Sequence, residues 1–155
     1  MTQAWPVPEL QQVCDELLQA TGASRTTVRL VEPSSGDASL AAESCQQGVV
    51  SMRTVVTPGI VAAPTYRYLL EEKKFLIQSD LSVDPIHPPR SLVQQLKVRA
   101  QMLAPVLVSG QMVATISVHQ QDSPRQWSVA DLAALADAVT QVEAWYHETP
   151  VPRDR

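Results

Sequence analysis

Thr115, Ser117 and His119 stand at alternate positions within one apolar stretch, and strand period turns all three to the same side of a sheet. Gln101 and Leu103 alternate in the same way in the stretch before it. Hydroxyls, an amide and an imidazole among aliphatics suit reversible recognition of a small molecule, since the polar groups orient it and the aliphatics exclude water. Two further candidates lie upstream. Arg67, flanked by Tyr66 and Tyr68, offers a guanidinium fork to an anion. His87 sits in a proline-rich loop, where with His119 it would be a donor to a ligand or a partner for haem or metal. Each has a plain alternative: a hydroxyl satisfied on nearby backbone, or an arginine or histidine facing solvent. Cys14 falls on the apolar stripe of a helix and Cys45 stands alone at a strand end, with no CxxC and no Cys/His cluster at metal-ligand spacing. That pattern fits buried or idle thiols in a reducing compartment and no catalytic residue.

The element that must position these residues is a hairpin spanning 99–119. A three-residue turn, Val108-Ser109-Gly110, would set Leu107 opposite Gln111 and suit the glycine to positive φ. One face then collects Ala100, Met102, Ala104, Val106, Met112, Ala114, Ile116 and Val118; the other carries Gln101, Leu103, Pro105, Leu107, Val113, Thr115, Ser117 and His119. The first face calls for helices and the second can line a cavity. A helix over 8–21 shows Leu10, Val13, Cys14, Leu17 and Leu18 at helical spacing, with Gly22 to stop it. Strands follow over 26–31, with Thr27 and Arg29 on one side, and over 39–45. Residues 46–64 lack a clean period. A short helix over 65–72, a strand over 75–77 and a helix over 91–96 capped by Ser91 complete a long crossover. The strongest helix covers 128–147. Ser128 and Asp131 have capping-box spacing, Trp127 and Leu132 the positions of a hydrophobic staple, and the stripe is Leu132, Leu135, Ala136, Val139, Val142 and Tyr146.

The chain has 155 residues, 45% hydrophobic and 18% charged, with formal net charge −4. Those totals indicate one globular domain over 8–147, between an extended N-terminus, 1–7, and a disordered tail, 148–155. Without a basic run or a long apolar segment, neither nucleic acid nor membrane is an expected partner, and a cytoplasmic location is expected.

In their order and spacing, Phe75-Leu76-Ile77-Gln78-Ser79-Asp80, then Pro105 and Gly110 in PVLVSGQMVATISV, then Trp127-Ser128 through Asp131-Leu132 resemble a GAF domain. The resemblance implies an α+β fold: a central antiparallel sheet, N- and C-terminal helices on one face, and a crossover with short helices over the other, enclosing a small-molecule pocket. It implies a non-catalytic sensory or regulatory domain, with a homodimer paired through helices 9–21 and 128–147 and a regulatory protein partner. Pro85-Ile86-His87, Arg99-Ala100-Gln101-Met102 and Val118-His119 resemble the GAF domains of phytochromes, where such histidines line a bilin pocket; this sequence lacks a cysteine near His87 and the Asp-Ile-Pro run. A third resemblance, to GAF proteins that reduce free methionine sulfoxide, lacks a cysteine pair. An interaction module with a filled pocket is the remaining alternative. The ligand and any cofactor stay unknown from sequence. The expected pocket residues are Tyr66, Arg67, His87, Gln101, Leu103, Thr115, Ser117 and His119.

Overall fold

Proline in the first turn and a left-handed glycine after the last bound the first helix, α1 (Pro8–Thr21), where Gly22 at φ 64° donates its N–H back to the Leu18 carbonyl. Apolar side chains at helical spacing give α1 one buried stripe, Leu10, Val13, Cys14, Leu17 and Leu18, and an amphipathic helix of this kind needs a sheet face to cover. The computed structural model describes residues 5–32, 34–54 and 60–148. Residues 1–4 of the expected extension, Pro33, residues 55–59 of the irregular stretch and residues 149–155 of the expected tail lie outside them, while Glu148 of that tail belongs to the last helix.

The order continues as β1 (Arg25–Val31), β2 (Ala38–Cys45), a 3₁₀ turn at Met52–Thr54, α2 (Pro64–Glu72), β3 (Leu76–Gln78), α3 (Arg90–Gln94), β4 (Val98–Val108), β5 (Gln111–Gln121) and α4 (Val129–Glu148). The strands form one sheet in the order β2-β1-β5-β4-β3, with every neighbouring pair antiparallel. This is the α+β architecture expected. Pro105 is tolerated inside β4 because β3 pairs with that strand only at residues 101–103, which leaves the far edge open where the proline lacks an N–H.

The hairpin corrects the sequence reading at its turn and upholds it along its length. Val108 pairs with Gln111, so the loop is the two residues Ser109 and Gly110, both at positive φ (53° and 77°). A two-residue loop would by itself set the oily residues of β4 against the polar ones of β5. A bulge prevents this: the register shifts between Leu107, opposite Met112, and Val106, opposite Ala114. One extra residue on β5 restores the parity. Beyond it, Met102 faces Val118 and Ala104 faces Ile116. The exchange costs two assignments. Met112 joins Tyr66, Leu69 and Leu76 on the crossover side, and Val113 joins the core under the helices.

That core holds Leu10, Val13, Cys14 and Leu17 of α1, Leu135, Ala138, Val142 and Tyr146 of α4, and Met102, Ala104, Val106, Ile116 and Val118 between them. Ala138 takes the place expected of Ala136, which is exposed. Helix α4 begins with the expected box: Asp131 N–H donates to Ser128 Oγ at 3.0 Å and Ser128 N–H to Asp131 Oδ2 at 2.9 Å. Arg125 also donates to Asp131 at 3.2 Å and to the Thr21 carbonyl at 2.6 Å, tying the start of α4 to the end of α1. At the first turn of α3 the cap position is Pro89, with no side-chain cap, and the Ser91 hydroxyl is buried without a partner.

Candidate functional site

Antiparallel register lays the polar residues of the outer sheet face in rows that run across the strands. In the first row Cys45, Arg25, His119, Gln101 and Gln78 are successive neighbours on β2, β1, β5, β4 and β3; in the second they are Glu43, Thr27, Ser117, Leu103 and Leu76. A third row joins Arg29, Thr115 and Pro105. Alternation along each strand therefore gathers the hydrogen-bonding groups under the crossover, opposite α1 and α4.

A cavity of about 50 Å³ lies between these rows and the crossover, bounded on the sheet side by Thr27, Arg29, Gln101, Leu103, Thr115, Ser117 and His119, and above by Met52, Ile60, Thr65, Tyr66, Leu69, Pro89 and Leu92. Six expected residues meet there: Tyr66, Gln101, Leu103, Thr115, Ser117 and His119. Two do not. Arg67 is on the outer side of α2, its side chain 61% exposed and paired with Glu71 one turn on; the helix turns Tyr66 inward and so its neighbour outward. His87 is exposed in its loop, and among the described residues its carbonyl accepts from Thr65 N–H at 3.3 Å while its ring has no hydrogen-bond partner.

The first row is oriented by hydrogen bonds that run inward from both ends. Arg25 is fully buried; it donates from Nη2 to the Val50 carbonyl at 2.7 Å and lies 3.6 Å from the Glu43 carboxylate. Its Nη1 is 2.9 Å from Nδ1 of His119. A guanidinium has only donors, so Nδ1 accepts, and a neutral imidazole then carries its proton on Nε2, which has no partner among the described residues. Burial, with the charges of Arg25 and Arg29, holds the His119 pKa well below the ordinary histidine value. At the other end Gln78 Nε2 donates to the Ile86 carbonyl at 2.7 Å, which fixes Gln78 Oε1 as acceptor of Gln101 Nε2 at 2.8 Å. Gln101 Oε1 is consequently left as a buried acceptor without a partner. A cavity-lining donor and acceptor thus stand on neighbouring strands.

The second row is quieter. Thr27 and Ser117 satisfy each other through their hydroxyls. Glu43 accepts from Ser51 Oγ at 2.5 Å and from Met52 N–H at 2.7 Å, fastening the crossover to β2. Arg25, Arg29 and Glu43 were not among the expected site residues, although the period of β1 already puts Arg29 beside Thr27. Of the thiols, Cys45 ends the first row beside Arg25, whereas Cys14 lies in the core under the helices. Burial pushes Cys14 up to about 12, and burial, reinforced by Glu43, raises Cys45. Among the described residues no group of three or more His, Cys, Asp or Glu can hold a metal, and no helix is long and apolar enough to cross a membrane.

The sequence model of the GAF domain family matches residues 7–144. Among solved structures the chain is similar to the phycocyanobilin-bound GAF domain of a cyanobacterial phytochrome, at 19% identity and TM-score 0.72, covering 90% of this chain and 82% of that one. It is similar to a type II free methionine-R-sulfoxide reductase from Thermoplasma acidophilum at 14% identity and TM-score 0.68, covering 91% of this chain and 92% of that one. The GAF domain of a phosphoenolpyruvate-protein phosphotransferase from Coxiella burnetii gives 14% identity and TM-score 0.73, over 94% of this chain and 84% of that one. At such identities the likeness is one of fold. No curated protein matches the sequence significantly.

Proposed function

The chain belongs to the GAF domain family, and from that premise we propose that it is a non-catalytic sensory domain that holds a small molecule between its sheet and its crossover. The observation that carries this reading is the pair Gln101 Oε1 and His119 Nε2, each oriented from behind and each without a partner among the described residues, with Gln101 Oε1 fully buried. A buried polar group left unsatisfied costs about 1–3 kcal/mol, which a bound ligand would recover. Occupancy would hold α2 and the 3₁₀ turn against the sheet, and this is the change a partner would sense. The absence of catalysis is supported by the two raised thiols, since a thiolate is the nucleophile a reductase needs. The module would act in the cytoplasm as a dimer through the outer faces of α1 and α4, where Trp145 is half-buried, and would signal through a regulatory partner.

Native mass spectrometry of freshly purified protein tests the reading. The expected spectrum contains a dimer with a retained small molecule; an unliganded chain that no compound of a broad metabolite panel stabilises against heat would overturn it. Size favours a modest ligand. Ordinary drug-sized pockets reach about 300–1,000 Å³, so a tetrapyrrole would demand wide displacement of the crossover, and an absorbance scan would reveal one. The same small volume favours a second reading, an interaction module whose pocket is filled by Tyr66 and Leu103. That alternative predicts a partner captured without ligand. Phe75 packs against the core under the helices and takes no part in that filling.

A further inference from the structure

We propose that the cavity is built for a small carboxylate anchored by Arg29, a conclusion that rests on taking the cavity as the ligand site. The sheet side of the site carries two guanidiniums, Arg25 and Arg29, and one carboxylate, Glu43. That carboxylate is already engaged by Arg25, Ser51 and the Met52 N–H. His119 adds no compensating negative charge and, with Nδ1 accepting from Arg25, no positive one. One positive charge is left over beside the cavity, and on the half-buried Arg29 a partly desolvated charge without a partner is costly.

Arg29 is where that charge is available. It lines the cavity, forms no ion pair among the described residues, and makes one hydrogen bond, Nη1 to the Ala38 carbonyl at 3.2 Å. Nε and Nη2 are therefore free to take both oxygens of a planar carboxylate. Arg67, by contrast, is neutralised by Glu71 at 3.1 Å on the surface. Volume sets the size of the anion. With roughly 10–15 Å³ needed per water, about 50 Å³ admits a molecule of about four non-hydrogen atoms. The free acceptor Gln101 Oε1 and the Nε2–H of His119 would meet a hydroxyl or amine next to the carboxylate. The chemistry recognised is thus that of a short carboxylic acid bearing one donor.

Titration of the native chain with sodium acetate, sodium glycolate and acetamide at constant ionic strength, followed through the backbone amide resonances of Thr115 and Ser117, distinguishes the cases. Saturable shifts with acetate, tighter binding of glycolate and no saturation with acetamide are expected. Arg29→Gln should weaken glycolate by about tenfold to a hundredfold, as loss of a charge-assisted bond implies, and Arg67→Gln should leave it unchanged. If Arg29→Gln does not fold, the contrast between acetate and acetamide on the native chain decides. Saturation by acetamide and not by acetate would overturn the anion assignment and leave the binding site standing. Silence toward all three probes, with another class of compound retained in the native mass spectrum, would do the same. Silence toward all three with no retained compound would overturn both the carboxylate and the binding reading beneath it.

Discussion

Arg25 Nη1 and His119 Nδ1 lie 2.9 Å apart inside the protein, and this contact decides which form of the imidazole the cavity meets. Arginine cannot accept, so the histidine must be neutral at Nδ1. Its pKa is depressed, chiefly by burial and then by the two arginines. An unfolded histidine titrates near 6.5. Below that pH the unfolded chain takes up a proton that the folded chain refuses, so stability falls as pH drops from about 6.5 toward the lower folded value. The slope for one proton is about 1.4 kcal/mol per pH unit. Urea unfolding from pH 7 to pH 5 should show this slope, and His119→Gln should flatten it. Equal slopes in both proteins would refute the assignment.

Arg25 and Glu43 form a buried pair at 3.6 Å, their side chains 0% and 5% exposed. Removing one partner strands the other charge, at a cost of about 3–5 kcal/mol, whereas replacing both by apolar groups is much cheaper. Arg25→Met is therefore expected to lower the unfolding free energy by about 3 kcal/mol, and Arg25→Met with Glu43→Leu to recover part of the loss. A double mutant as unstable as the sum of both singles would show that the two side chains act independently.

Sequence carried the faces of the sheet further than it carried the turn. The alternation of Met102, Ala104, Ile116 and Val118 requires only parity, and parity is conserved by any even shift of register. The local turn can therefore differ, because the bulge between Val106 and Leu107 compensates for it. No composition signal marks that bulge, and Met112 and Val113 changed sides with it. The site shows the same division. Gln101, Leu103, Thr115, Ser117 and His119 are readable as one surface from strand period, and Tyr66 enters the reading as a neighbour of Arg67. Arg25 is not readable in this way, since its burial depends on Glu43 and Val50 arriving from β2 and the crossover. Arg67 stands out in sequence through its aromatic neighbours, but α2 turns Tyr66 toward the cavity and Arg67 outward, and no such neighbours mark Arg29.

Ser109 holds φ at 53° without being glycine, a conformation that asparagine and glycine adopt at lower cost. Both residues of the Ser109-Gly110 turn are left-handed, the geometry for which Asn-Gly is favoured. Ser109→Asn should raise the unfolding free energy by about 0.5 kcal/mol and leave the cavity unaltered. Gly110→Ala, at φ 77°, should lower it by about 1 kcal/mol. Thermal unfolding of the two variants checks the order.

The capping box at the start of α4 separates a local from a wider role. Ser128→Ala removes one acceptor for the Asp131 N–H and should cost about 1 kcal/mol. Asp131→Ala removes the bond to Ser128 N–H and also the partner of Arg125, whose guanidinium lies over Trp127 at 4.5 Å. Its cost should be about twofold to threefold greater. Equal losses would mean that Arg125 is held well enough by the Thr21 carbonyl and Gln120 Oε1.

Gln78 does not line the cavity, yet it dictates how Gln101 presents itself there. Its amide is fixed by the Ile86 carbonyl, which can only accept, and so it must receive Gln101 Nε2 and leave Gln101 Oε1 free. In Gln78→Met the Ile86 carbonyl loses its donor and Gln101 its restraint, at a stability cost of about 1–3 kcal/mol. The more telling effect is on binding. Released, the Gln101 amide can rotate and offer N–H where it offered oxygen, so a ligand that donates a hydrogen bond should bind several-fold more weakly. One that engages only Arg29 should be unaffected. Ligand-induced stabilisation, RT ln(1 + [L]/Kd), measured for glycolate and for acetate on both proteins, reads the two effects separately: loss for glycolate with acetate unchanged identifies Gln78 as a positioning residue, and equal loss for both would assign it a purely structural role.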